Sequence, residues 1–154
     1  MRAELINPFF ISAAEILSME AGLKVQRGQL SLTASPWTGH KVTVMVSVIG
    51  EVEGTVLIGI SEQTAVNFTS AMLGEEIAEF NNIVLSAVAE FGNVVSGRAM
   101  AKLETIGYNA DISPPTLLYG DAWRVSTLSL KRLQIPLETD LGMFELSVAL
   151  RGRK

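Results

Sequence analysis

The spacing of apolar residues divides the first half of the chain into one helix and three strands. Apolar residues recur at helical spacing after Pro8, which follows a capping Asn7, and Gly22 ends that run. Apolar and polar residues then alternate over 25–33 and 41–49, which predicts two strands. The segment between them is rich in turn-forming residues and predicts a loop. A third strand is predicted at 55–60.

The second half begins with two helices and returns to strands. A short helix is predicted from Ser61 to Gly74, with Leu73 on its apolar side, and a long one over about 82–104. Two adjacent prolines at 114 and 115 prevent the long helix from continuing. The remaining strand-like segments are TLLYG, WRVSTLSLKRL, IPLETD and MFELSVALRG.

This order of elements predicts an α+β fold. Connections of hairpin length favour an antiparallel β-sheet, against which a long amphipathic helix pair would pack. Because each half contains a helix followed by strands, the two halves look like copies of a duplicated helix-plus-three-strands unit. No linker-like or low-complexity segment interrupts the chain, so we predict a single domain over 1–154.

Composition narrows the classes of function. The 154 residues contain no cysteine, which excludes disulfides and thiolate metal sites and is typical of a cytoplasmic protein. The formal net charge of −4 argues against nucleic-acid binding, which needs a basic surface. No signal peptide and no membrane span are predicted, because no sufficiently long apolar run occurs.

One side of the long helix carries a polar set. At about 100° per residue, Ser86, Glu90, Asn93 and Gly97 project within about 60° of one another, opposite a continuous apolar face. Such a stripe is ordinarily the solvent face of an amphipathic helix. The spacing between Glu90 and Asn93 is weak support for function, because it recurs from Glu79 to Asn82, where a helix N-cap explains the asparagine.

Glycines and charge strengthen a functional interpretation. Gly92 and Gly97 each cost a helix about 1 kcal/mol relative to alanine, so a helix that only covers a sheet gains nothing from them. Beside an exposed asparagine, glycines leave the backbone open to close approach by another surface. The stripe is also nearly free of lysine and arginine, unlike an ordinary solubilising face.

The segment SAVAEFGNVVSGRAMAKLETIGYNADISPPTLLYG resembles the signature of the CheC/CheX/FliY family of chemotaxis phosphatases. That signature has a serine or aspartate, three residues, a glutamate, two residues and an asparagine, followed by small residues and a downstream proline. The opening helix, NPFFISAAEIL, is also similar to that of the family. One complete motif and a length near 150 residues make the chain most similar to the CheX branch.

The resemblance implies hydrolysis of the aspartyl phosphate on a CheY-type response regulator. Asn93 would hold the attacking water, and Glu90 would pair with the active-site lysine of the receiver domain. Ser86 and Gly97 would contact the partner. The receiver supplies its own Mg²⁺, so no cofactor is expected on this chain. His40, alone in a loop, is interpreted as incidental rather than catalytic.

The resemblance also implies a homodimer joined through sheet edges, for which the alternating strand MFELSVAL is a candidate. Two other functions remain open. The domain could bind a receiver or the flagellar switch without catalysis, which would need Glu90 but not Asn93. Trp37, Trp123 and the methionines could instead form a ligand-sensing or scaffold surface, although such residues are more often part of a core.

Overall fold

A computed structural model describes residues 2–34, 36–121, 123–127 and 130–153. Its helices are α1 (Ala3–Ala21), α2 (Glu62–Leu73) and α3 (Asn82–Thr105). Its strands are β1 (Gln26–Arg27), β2 (Ser31–Thr33), β3 (Trp37–Thr38), β4 (Val42–Gly50), β5 (Val52–Ile60), β6 (Ala110–Ile112), β7 (Thr116–Tyr119), β8 (Arg124–Val125), β9 (Arg132–Thr139) and β10 (Gly142–Gly152). The predicted α+β class is confirmed.

The strands form one large antiparallel sheet and one two-stranded ribbon. The large sheet has the order β1-β9-β10-β5-β4-β6, with β2 also on β9 and β7 also on β4, and β3 pairs with β8. Each long helix, α1 or α3, precedes five strands. The short strands β1 and β2 of the first half pair with β9 of the second, and β6 and β7 of the second half pair with β4 of the first. The predicted duplicated unit is therefore present, with five strands per copy instead of three.

The three helices cover one face of the large sheet. The rings of Phe68 on α2, Phe91 on α3 and Phe144 on β10 meet with centroids 5.1–5.8 Å apart. α1 packs beside α3 and also touches β10. Because aromatic side chains contribute the largest apolar areas to a core, this triad fixes the depth at which α3 lies on the sheet.

The β3–β8 ribbon lies over part of the opposite face of the sheet, at Glu145. Side chains alternate along β10, so Glu145 points away from the helices. Its Oε1 accepts a 2.6 Å hydrogen bond from Nε1 of Trp37 and lies 3.3 Å from Nε2 of His40. We call these three residues the Glu145 cluster. Trp37 is 2% exposed and its ring packs against Trp123.

α1 begins earlier than Pro8 indicated. The helix starts at Ala3, with Pro8 inside it and Arg2 in the N-cap position. An interior proline costs about 3 kcal/mol. Extending the helix buries Leu5 and Ile6, at 1% and 3% exposure, and each such side chain contributes about 1.5–3 kcal/mol. Burial of the two side chains therefore outweighs the proline.

Several predicted strands differ from those observed. The segment 25–33 is two strands on β9, because the pairs Arg27 with Leu137 and Ser31 with Gln134 leave one extra residue on its side, a β-bulge. The loop predicted before residue 41 contains β3, and β6 lies in a segment where no strand was predicted.

Three further expectations are wrong in detail. In the predicted strand 123–133, β8 and the first residues of β9 are strands, whereas residues 128 and 129 lie outside the described part. Leu73, predicted on the apolar side of its helix, is 46% exposed. The segment MFELSVAL belongs to β10, which pairs on both sides, so it is not an edge. No described helix is long and apolar enough to cross a membrane.

Candidate functional site

α3 carries the predicted site residues and is fixed at its start by a side chain. The Asn81 Oδ1 accepts hydrogen bonds of 3.0 Å and 3.2 Å from the backbone N–H groups of Ile83 and Val84. These bonds satisfy donors that the first turn of a helix leaves without partners. The expectation that an asparagine here is an N-cap is confirmed for Asn81.

The predicted polar stripe lies on the outward side of α3. Ser86, Glu90 and Gly97 are exposed and Asn93 is half-buried. We call these four residues the outward stripe. On the other side of the helix the predicted apolar residues are buried; they are Val84, Val88, Phe91, Val95, Ala99 and Leu103. The sequence therefore assigned the two faces of this helix correctly.

Gly92 has a structural role that the sequence interpretation missed. It is buried, and a Cβ placed there would lie 2.6 Å from Cγ2 and 2.7 Å from Cγ1 of Val44 on β4. No real side chain tolerates that distance without movement of the neighbour. The glycine is thus explained by close packing of α3 on the sheet, and the expectation that it opens the helix to a partner is wrong.

Gly97 behaves differently. It is exposed, and a Cβ there would meet no atom within 4 Å among the described residues. No steric requirement inside the fold accounts for it, although it costs the helix about 1 kcal/mol relative to alanine. Its position beside Asn93 on the outward stripe leaves a flat patch of backbone facing solvent.

The side chains of Ser86, Glu90 and Asn93 make no hydrogen bond or ion pair to any part of the chain that the structure describes. Adjacent side chains three residues apart on a helix project side by side. Glu90 and Asn93 therefore present a carboxylate and an amide together to solvent. This arrangement offers two acceptor groups and one donor group to an external partner.

The spacing of Glu90 and Asn93 occurs three times in the chain, and the structure distinguishes the copies. In the pair Glu4 and Asn7, Glu4 accepts a 3.1 Å hydrogen bond from the Tyr108 hydroxyl and lies 3.2 Å from Arg2. Its carboxylate is therefore already engaged within the chain. Glu79 precedes α3 and is not on a helix. Of the three pairs, the one at Glu90 has both members within a helix and no polar partner in the described chain.

Two cations of α3, Arg98 and Lys102, are paired with a carboxylate of α1. Nζ of Lys102 is 2.7 Å and NH2 of Arg98 is 3.4 Å from Oε1 of Glu15. The hydrogen bond from Lys102 is the main cause that holds the pKa of Glu15 below its usual range, with Arg98 adding to it. Arg98 therefore faces α1, and the outward stripe keeps its negative charge.

Ile83 belongs to the same surface and was missed by sequence reasoning. It lies seven residues before Glu90, two turns away on the same side of α3, and is 53% exposed. A large apolar side chain on a polar stripe is a typical interface feature. The spacing of seven residues between Ile83 and Glu90 could have indicated from the sequence that both lie on the same side of the helix.

Comparison with known proteins gives a matching family and a similar protein at the level of sequence. The sequence model of the family described as chemotaxis phosphatase CheX matches residues 42–138. The CheY-P phosphatase CheX of Thermotoga maritima is 28% identical over 138 residues, which cover 89% of this chain and 88% of that protein.

Two solved structures have the same fold. One is CheX from Borrelia burgdorferi in a CheX-CheY-BeF3-Mg²⁺ complex; it is 27% identical, with a TM-score of 0.82 over 97% of this chain and 99% of that one. The other, a CheC-like superfamily protein from Shewanella sp. PV-4, is 23% identical, with a TM-score of 0.90 over 99% of this chain and 100% of that one. The second similarity concerns the fold alone.

Proposed function

Because this chain belongs to the family of the chemotaxis phosphatase CheX, we propose that it hydrolyses the aspartyl phosphate of a CheY-type receiver domain. The observation that supports this most is the side-by-side pair of the exposed Glu90 and the half-buried Asn93 on α3, which have no polar partners in the described chain. The names of the Thermotoga maritima and Borrelia burgdorferi relatives, a CheY-P phosphatase and a CheX-CheY complex, agree with it.

Asn93 is the proposed water-positioning residue. Hydrolysis requires a water oxygen in line with the phosphorus and the aspartyl oxygen: the new P–O bond forms as the bond to the aspartate breaks. A side-chain amide suits this step because its oxygen accepts a hydrogen bond from the water while its NH₂ donates to a phosphoryl oxygen. The products are inorganic phosphate and the free aspartate of the receiver.

Glu90 is the proposed docking residue. One turn before Asn93, its carboxylate would pair with a lysine in the receiver active site and so hold the asparagine at the phosphoryl group. Ser86 and Gly97 would contact the receiver at either end of the outward stripe. In this proposal the receiver holds its own Mg²⁺, and this chain contributes positioning groups.

The test is a phosphate-release assay with phosphorylated CheY and Mg²⁺. Wild-type protein should accelerate release, and Asn93→Ala should lower the rate about 10²–10³-fold, the loss typical of one preorganised polar group. Asn82→Ala is the matched control, since Asn82 lies on the same helix and has the same Glu-x-x-Asn spacing, whereas its glutamate, Glu79, precedes the helix. Full activity of Asn93→Ala would contradict the assigned role, and binding with unaltered decay would favour the non-catalytic alternative.

We also propose that the protein functions as a homodimer joined through a sheet edge. β10 is internal, so the strands at the ends of the sheet order are β1 and β6. An edge strand offers unpaired backbone groups to a second copy. Light scattering should then give twice the 16.6 kDa mass of the chain, and a monomer mass at micromolar concentration would contradict the proposal.

A further inference from the structure

An apolar cavity of about 270 Å³ lies between the three helices, directly beside Glu90. Its walls come from all three helices; they are Ile16, Phe68, Met72, Phe91 and Val94. Glu20 and Glu90 also line it. Since both glutamates are exposed, whereas Ile16, Phe68 and Phe91 are at most 4% exposed, the carboxylates form the rim and these apolar side chains form the floor.

The size and lining of the cavity indicate the kind of group it accepts. Sites for small molecules usually measure about 300–1,000 Å³ and contain several placed polar groups. This cavity is smaller, and among the described residues that line it only the two at the rim are charged. Its dimensions and apolar walls suit one large aliphatic or aromatic side chain.

The negative charge at the rim indicates which kind of residue lies next to the entering side chain in the partner. Glu20 and Glu90 form no ion pair with any described residue, whereas Glu15 on the same helix as Glu20 is held by Lys102 and Arg98. Two uncompensated carboxylates around an apolar opening are complementary to an apolar side chain that stands beside a lysine or arginine. Glu90 links this opening to the outward stripe, because it belongs to both.

We propose that the cavity is a docking site for the receiver domain: one large apolar side chain of the receiver enters it, and an adjacent cation of the receiver lies between Glu20 and Glu90. This inference rests on the proposed function and adds a recognition site to it. Anchoring beside Glu90 would add affinity for the receiver, while the pairing of Glu90 itself holds Asn93 at the phosphoryl group.

The experiment measures binding and turnover separately. The probe is CheY from the same organism, loaded with Mg²⁺ and beryllofluoride for titrations or phosphorylated for kinetics. Val94→Phe fills the cavity from its wall, and Glu20→Lys reverses one rim charge on an exposed position. Each should raise Kd and KM about 10- to 100-fold, the range for losing one interface anchor, and leave kcat within about twofold.

Glu138→Lys is the matched control, since it makes the same change of charge at an exposed position on β9, on the sheet face opposite the helices. It should leave Kd and KM unaltered. If Val94→Phe is not folded by circular dichroism, Glu20→Lys decides the question, because an exposed charge reversal does not disturb the core.

The outcomes separate this inference from the proposed function. Wild-type activity with unaltered KM in both variants would overturn the docking site and leave the phosphatase intact. Tight binding of beryllofluoride-loaded CheY that both variants weaken, without accelerated phosphate release by the wild type, would support the docking site and overturn the phosphatase. Failure of the wild type to bind CheY would overturn both.

Discussion

Two polar regions lie on opposite sides of the same sheet and differ in where their partners are. In the Glu145 cluster the carboxylate is satisfied within the chain, by Trp37 at 2.6 Å and His40 at 3.3 Å. On the outward stripe, Glu90 and Asn93 have no polar partner in the described chain. A polar group that is satisfied internally stabilises the fold, whereas an unsatisfied pair at the surface is available to another molecule.

The largest expected difference concerns the two glutamates. Glu90→Ala should weaken binding of beryllofluoride-loaded CheY about 10–100-fold, because a hydrogen bond to a charged group contributes about 1.5–3 kcal/mol. Its free energy of unfolding should stay within about 0.5 kcal/mol of wild type, as for other exposed positions without partners. Isothermal titration and urea unfolding of the same samples test both parts. A large loss of stability would show that Glu90 is structural.

Glu145→Ala should show the opposite pattern. Removing the carboxylate leaves Trp37 and His40 without their acceptor and should lower the free energy of unfolding by about 1–3 kcal/mol. Phosphatase activity at a temperature well below the unfolding midpoint should not change. Glu138→Ala, an exposed carboxylate on the adjacent strand and the same face, is the control and should be nearly neutral. Equal stability of the two variants would remove the distinction between the regions.

The two glycines of α3 make a smaller but sharper contrast. Gly92→Ala should destabilise the fold, because overpacking against Val44 costs about 1–3 kcal/mol and exceeds the helical gain of about 1 kcal/mol. Gly97→Ala should instead raise the free energy of unfolding by up to about 1 kcal/mol. If the receiver approaches the backbone at Gly97, the Gly97→Ala variant should also show a KM for the receiver that is several-fold higher. Thermal unfolding of both variants should therefore give midpoint shifts of opposite sign.

The smallest effect is a dependence on pH. The hydrogen bond from His40 is the main cause that lowers the pKa of Glu145 from its usual 4.5, with Trp37 adding to it. A lowered pKa in the folded protein means that this stabilisation is complete above about pH 4.5 and is lost as pH falls through the folded value. The stability difference between wild type and Glu145→Gln should therefore shrink between pH 6 and pH 3. A constant difference across that range would contradict the assigned cause.

Periodicity was sufficient for the long elements. The apolar residues of α3 and β4 recur at periods that allow one buried face each, so the core side of each element follows from the sequence. The polar stripe of α3 followed for the same reason. Short strands such as β3, β6 and β8 lack enough residues to show a period, and they exist because a neighbouring strand supplies their hydrogen bonds.

The contacts of residues in the predicted loops could not be predicted from the sequence either. His40 and Trp37 read as parts of a turn-rich loop, whereas the fold brings them to a carboxylate more than one hundred positions away in the chain. Pro8 predicted a helix start, but the helix begins earlier because Leu5 and Ile6 are buried in the fold. Long-range contacts determine both the Glu145 cluster and the start of α1, and local sequence patterns do not predict such contacts.

The sequence by itself determined that Glu90 and Asn93 share the polar side of a long helix, because helical spacing is a local property. Only the tertiary structure decided what the neighbours of that pair are. It assigned Gly92 to packing against Val44 and left Gly97 open, paired Arg98 and Lys102 with Glu15, and formed an apolar cavity beside Glu90 from three separate helices. These features depend on contacts between segments that are distant in the chain. The sequence of one helix does not specify such contacts.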